Sequence, residues 1–282
     1  MSPQRNKAQK QREPAPANTG VPAPPPVRRG RLTKRILVLG CAALASLAVA
    51  AALALTLLSG GDAGPDQKTA AIVDQLSLTA PNPEFPATAT ATLEKAGYAV
   101  DYFPGDRVTV DFYRELPAKG YDLLILRGHS ARLREEFQGV ALDEVILFTN
   151  EPWSDKRYLD EQNEGRLAIA RYTEEGDRYF GIAPEFIQES MEGSFDATTI
   201  VLMGCEGLGS EKTADAFVAK GAESIISWDG LVSATHTDAA TEELLDRMLL
   251  GRLPAKEAVA ETMASVGPDP TYGSELRLLT VE

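Results

Sequence analysis

Two short apolar runs, each ending in a residue the chain rarely uses, constrain the fold most. Tyr121-Asp-Leu-Leu-Ile-Leu-Arg-Gly leads into His129, and Thr198-Thr-Ile-Val-Leu-Met-Gly leads into Cys205, in a chain of two histidines and two cysteines. An uninterrupted apolar run of this length reads as a strand buried on both faces, the mark of a parallel sheet covered by helices. In an open α/β sheet, ligands bind outside the carboxyl ends of the strands. If the two strands are neighbours, an imidazole and a thiol emerge on the same rim. A cysteine nucleophile needs that arrangement from its base.

The charge distribution divides the chain. Residues 1–35 carry nine Lys/Arg against the single acid Glu13. The first 27 are rich in Pro, Ala and Gln, the composition of a disordered tail. Ile36 to Leu58 is uncharged and apolar for 23 residues, more than the roughly 20 that cross a bilayer as a helix. A secretory signal has a shorter apolar core of about 7–15 residues, so the stretch reads as an uncleaved signal-anchor, the alternative being a cleavage site within Ser59-Gly-Gly-Asp. The basic flank places the amino terminus in the cytoplasm, which leaves residues 59–282 outside the cell membrane on a single-pass anchor. The expected division is a basic tail at 1–35, a transmembrane helix at 36–58, a linker at 59–68 and one α/β domain at 69–282.

Of the 28 basic and 41 acidic residues in the chain, 19 and 40 lie beyond the apolar stretch, a formal charge of −21. Such a domain repels nucleic acid and anionic lipid and attracts cations. Cys41 sits inside the apolar stretch, where it fills space. Cys205 therefore has no intramolecular disulfide partner, and a disulfide framework is excluded.

From Lys68 onward strand-like and helix-like segments alternate. Strands are expected at Ala71–Leu76, over Tyr98, Val100 and Tyr102, and at Tyr121–Arg127, Val145–Thr149, Thr198–Met203 and Glu223–Trp228. Phe85, Ala89, Leu93 and Ala96 share a helix face that Gly97 terminates. Short helices are expected near Asp111–Leu116 and Pro184–Met191. Ser210 is placed to cap a helix carrying Ala214, Phe217 and Val218 and closed by Gly221. Two more follow, one with Leu244, Leu245, Met248 and Leu249, one starting at Pro254. Strands alternating with helices predict a three-layer α/β/α sandwich with a mostly parallel sheet. The segment from 130 to 197 is long for a connection and is expected to overlie the site as a lid or binding surface.

The order of an apolar strand ending at His and a later one ending at Gly-Cys resembles the caspase-like (clan CD) cysteine peptidases, which include caspases, metacaspases, gingipains, clostripain, legumain, separase and the CHAT domains. Gly204-Cys205-Glu206-Gly207 looks like their nucleophile turn, and Ala216 to Trp228 like the helix and strand that follow it. The resemblance implies Cys205 as nucleophile and His129 as general base and acid. It also implies an oxyanion hole from the backbone N–H groups of Ser130 and Cys205, a thioester intermediate and a polypeptide substrate, with no cofactor. The sequence departs from the family at Ser130, where Gly is usual, and at Met203, where caspases have Gln. The 76 residues from His129 to Cys205 also exceed the roughly 50 of caspases. No subfamily's specificity pocket transfers.

Asp229, past the strand after Cys205, is a candidate to receive a basic side chain of the substrate, with Glu206 and Glu151 as weaker candidates. Alternatively, Trp228-Asp229-Gly230 is a turn with Asp229 bonded to its own backbone. His236 reads as a surface-loop residue. Neither CxxC nor HExxH is present, which argues against a metal, and the spacing around Gly207-Leu-Gly209 is not that of a phosphate loop. Two rival readings share the pattern: a non-catalytic caspase-like binding or sensor module, and a transpeptidase.

Overall fold

The computed structural model describes residues 67–133, 136–137, 140–141 and 143–280. The tail at 1–35, the apolar stretch at 36–58 and most of the linker at 59–68 lie outside the described residues. Among the described residues no helix is long and apolar enough to cross a membrane.

Six strands form the main sheet in the order β12-β11-β10-β3-β1-β2. They are β1 (Thr69–Asp74), β2 (Ala99–Pro104), β3 (Leu123–Arg127), β10 (Thr199–Leu202), β11 (Ser224–Trp228) and β12 (Leu276–Thr280). All pairs are parallel except β11 with β12. The four central strands are largely apolar because both faces are covered. Ala71, Val73, Leu124, Leu126, Ile200 and Leu202 point into one core cluster. The alternate residues Ala70, Ile72, Leu123, Ile125, Val201 and Met203 point into the other.

Helices α1 (Glu84–Lys95), α5 (Ala234–Leu245) and α6 (Ala255–Val266) contribute to the second cluster. Helix α1 buries Phe85, Ala89 and Leu93, four residues apart and so on one face. Gly97 follows it with φ +93°, the left-handed stop that glycine adopts without strain. The first cluster receives α2 (Val110–Glu115) and α4 (Glu211–Ala219). It also receives a second sheet absent from the sequence-based expectation.

That sheet is antiparallel, in the order β4-β7-β9-β8: β4 (Ser130–Leu133), β7 (Glu144–Pro152), β8 (Leu167–Ala170) and β9 (Tyr179–Ile182). Between β4 and β7 lie the two-residue strands β5 (Glu136–Phe137) and β6 (Val140–Ala141). Helix α3 (Leu159–Asn163) precedes β8. The long segment after His129 is thus a structured layer that shares the core.

Several boundaries differ from expectation for local reasons. The first strand ends at Asp74, and Gln75–Leu78 winds into a 3-10 turn. The helix expected near Pro184–Met191 is present over residues 184–190, with Phe186–Ser190 wound as a π turn. Ser210 precedes α4 but makes no side-chain cap there; its hydroxyl donates to the Asp143 carbonyl instead. Thr109 does cap α2, accepting the Phe112 N–H at 3.1 Å.

Candidate active site

Strands β3 and β10 are direct parallel neighbours, and Met203 N–H continues the pairing onto Leu126 O at 2.9 Å. Their carboxyl ends share a rim, and the turns beyond them interlock. A Cβ on Gly204 would lie 2.2 Å from Ser130 Oγ and 2.9 Å from Gly128 O, so only glycine allows this approach. The Ser130 hydroxyl donates to the Cys205 carbonyl at 2.6 Å. Ser130, a departure from the family pattern, ties the histidine turn to the cysteine turn. Gly204→Ala pushes against backbone and should cost about 1–3 kcal/mol, read as a lower urea midpoint at unchanged slope.

Among the described residues, the amides that the resemblance names as oxyanion donors meet no acceptor. Phe148 N–H donates to His129 O at 3.0 Å. By the alternation of an antiparallel ladder, the Ser130 N–H then points away from β7, and β4 is an edge strand. The Cys205 N–H makes no hydrogen bond to a described residue, whereas the next amide, Glu206, donates to Gly230 O at 2.7 Å. Glu206 has φ +56°, a left-handed turn that a non-glycine residue adopts at some cost in strain.

The thiol of Cys205 is half-buried against Val232, accepting its N–H at 3.5 Å and donating to its carbonyl at 3.6 Å. Burial pushes the thiol pKa up, the Val232 N–H offsets part of this, and the charges of Glu206 and Asp269 add to the rise. Asp269, in the loop after α6, holds the Val232 segment in place. Its carboxylate accepts Ser233 N–H at 2.9 Å, Ser233 Oγ–H at 2.7 Å, Thr271 N–H at 2.8 Å and Tyr272 N–H at 2.9 Å. Burial works to raise its pKa, but these donors bring it down to about 2. The clamp is therefore charged throughout the ordinary pH range.

His129 is half-buried between the main sheet and the second sheet. Its Nε2 lies 3.3 Å from Thr79 Oγ1, and its ring centroid is 4.9 Å from that of Tyr172 and 6.0 Å from that of Phe148. Burial, and then the Arg127 guanidinium, lower its pKa below the ordinary imidazole value. Among the described residues no hydrogen bond joins imidazole to thiol. Thiol and imidazole both rest neutral, each on its own partner.

Sequence reasoning missed two polar clusters beneath this rim. Arg127, with 1% of its side chain exposed, bonds Asp74 at 2.7 Å and Asp238 through two nitrogens at 2.7 and 2.8 Å. Gln75 accepts the His129 N–H at 2.9 Å. Neither cluster has a local signal, since the partners lie 53, 111 and 54 residues away. A charged residue ending a buried strand is the one available hint.

The three carboxylate candidates are placed differently. Asp229 accepts the Glu275 N–H at 2.8 Å and pairs with Arg277 at 3.1 Å, which engages it with β12 and its approach. Glu151 is buried, accepting Val110 N–H at 3.0 Å and pairing with Arg157 at 2.5 Å. Glu206 adjoins the thiol, and its charge acts on both Cys205 and Arg132. His236 lies in the first turn of α5, not in a loop. Its ring stacks 5.3 Å from Trp228 and its Nε2 lies 3.1 Å from Gly267 O, a structural setting. Among the described residues no group of three or more His, Cys, Asp or Glu gathers to hold a metal.

No family model matches the chain, and no curated protein matches it. The caspase-like resemblance therefore rests on the order of the two strand endings in the sequence.

Proposed function

We propose that residues 69–282 form a three-layer α/β/α domain of caspase-like type that acts as a cysteine peptidase. The observation that carries this reading is the interlocked pair of turns after β3 and β10. It sets His129 and Cys205 on one rim beside the two amides of Ser130 and Cys205. In the reaction, the Cys205 S–H proton passes to His129 as sulfur attacks the peptide carbonyl carbon. The oxyanion is met by the Ser130 and Cys205 N–H groups. The amine leaves with the proton from the imidazolium, and water hydrolyses the thioester with His129 as base.

Sulfur first has to leave Val232, by rotation about its side-chain bond, because its hydrogen bonds are committed there. Glu206 follows the nucleophile directly and its charge acts on the thiol, which makes it the carboxylate placed to prefer a basic side chain in the substrate. Burial is the main cause of the raised thiol pKa, and a cation beside Glu206 would offset the smaller part that comes from that carboxylate's charge, so the same contact would select substrate and favour the thiolate. The stretch at 36–58 would anchor the domain outside the cell membrane as a single pass. An amine in place of water would make the same thioester a transpeptidase intermediate.

The rival reading, a binding or sensor module, is favoured by the separate, neutral resting places of thiol and imidazole. Labelling the full-length chain with a peptidyl acyloxymethyl ketone carrying Arg beside the electrophile separates the two. A peptidase is expected to form a Cys205 adduct, found by mass spectrometry, at least ~100-fold faster than the His129→Ala variant. Equal rates in the two proteins would leave the binding module.

A further inference from the structure

We propose that Gln75 is a positioning residue for His129, fixed in that role by Asn150 and Tyr172 of the second sheet. The proposal rests on the peptidase reading of His129 and extends it to the residues that set the ring. At the end of β1 the chain serves two clusters in succession: Asp74 turns to Arg127, and Gln75 turns to the histidine.

Gln75 is buried, and all the polar functions of its amide are used. Its Oε1 accepts the His129 N–H at 2.9 Å, and its Nε2 donates to Asn150 Oδ1 and Tyr172 Oη, both at 2.7 Å. Asn150 in turn donates from Nδ2 to Gln75 O at 2.8 Å and Gly105 O at 3.0 Å, and its Oδ1 accepts the Tyr172 hydroxyl at 2.8 Å.

The directions of these bonds are forced. A backbone N–H only donates, so Oε1 faces His129. Backbone carbonyls only accept, so Asn150 presents Nδ2 to them and Oδ1 to Gln75. Neither amide can flip without setting like groups against each other. Burial pushes the Tyr172 pKa up to about 12, so its hydroxyl remains a donor at ordinary pH.

Gln75 therefore reaches His129 by two routes. It anchors the backbone of the turn directly, and through the Tyr172 hydroxyl it holds the ring that packs against the imidazole. A Cβ on Gly128 would lie 3.3 Å from Gln75 Cβ, so the side chain also sets how closely the turn passes β1. Asn150 of β7 and Tyr172 of the loop after β8 thereby make the second sheet part of the catalytic frame.

The chain contains only His129 and His236, so full-length protein labelled with 15N in its histidines gives two sets of ring signals. His236, on Trp228 and Gly267, is the internal control. Gln75→Glu keeps the shape and the acceptor but loses both donated bonds. Among the described residues, the imidazole meets the uncharged Thr79, Phe148 and Tyr172, and the charge acting on it is that of Arg127. A carboxylate at position 75 is therefore expected to raise the His129 pKa by about one unit while His236 is unmoved. Turnover of a basic peptide should fall about tenfold or more in kcat with KM nearly constant.

Tyr172→Phe, which removes only the hydroxyl, is the second variant and should displace the His129 ring signals even if Gln75→Glu does not fold. Ring signals that stay at their wild-type positions in the variants that fold overturn the positioning role, whatever turnover does. Displaced signals in the variants, together with a wild type that shows no turnover, uphold the positioning of the ring and overturn the catalytic reading alone.

Discussion

An Arg127→Ala variant is expected to lose about 3–5 kcal/mol of stability, the cost of stripping the partner from buried carboxylates. Arg127 is the last residue of β3, two before His129. Its guanidinium joins Asp74 at the end of β1 to Asp238 on α5, donates to Ala80 O at 3.1 Å, and lies 5.6 Å over the Phe85 ring of α1. The remaining carboxylate lone pairs are met by Tyr102 Oη–H on Asp74 at 3.1 Å and by Asn82 Nδ2 on Asp238 at 2.9 Å. Truncation leaves two buried carboxylates facing one cavity with no cation between them. The loss is measured by urea unfolding near neutral pH. The triple variant Asp74→Asn, Arg127→Met, Asp238→Asn is expected to cost less than Arg127→Ala alone, because it leaves no unpaired charge. A single-variant loss under 1 kcal/mol would show that solvent reaches the cluster.

The contrast between β3 and the second sheet shows what local pattern can carry. Leu123–Leu126 and Ile200–Leu202 are uninterrupted apolar runs because each face of the sheet is covered, and that environment leaves its imprint on every residue. Their neighbourhood in the sheet, and hence the shared rim, could be expected from α/β topology once the strands were found. By contrast, Leu167–Ala170 and Tyr179–Ile182 have four residues each, too few for alternation to stand out from a loop. Strand β12 has the same defect, with Leu276 buried and Arg277 and Thr280 exposed. His129 and Cys205 were legible as rare residues at strand ends. Gln75 was not, because its function is a relation to a backbone amide 54 residues away. Asp269 and Asp229 show the limit from the other side. Both look like available acids in sequence, yet one is spent on four donors around Ser233 and Tyr272 and the other on Glu275 and Arg277.

The pH dependence of the proposed reaction should report the neutral resting pair. Burial moves the two groups in opposite directions: it raises the Cys205 thiol above its ordinary value and lowers His129 below 6.5. Between those limits sulfur keeps its proton and the imidazole is free to take it. For a basic peptide substrate, kcat/KM is therefore expected to fall on the acid side with a slope of one, at a pKa under 6.5, as the base becomes protonated. It should fall again above about 8.5, where loss of the thiol proton leaves none for the departing amine. Small-molecule alkylation of free Cys205 should show a single rise at high pH with no plateau between about pH 5 and 8. A thiolate–imidazolium pair would behave differently, because thiolates activated in that way form at pKa values of about 3.5–7.5 and alkylate readily through that range. A plateau there would overturn the neutral pair and require the thiol to leave Val232 in the free protein. His129→Ala is expected to remove the acid limb and lower kcat/KM by about 10²–10⁴-fold, leaving alkylation at pH 9 nearly unchanged. That last comparison isolates proton transfer from exposure of sulfur, since a variant that merely loosened the Cys205 turn would speed alkylation as it lost turnover.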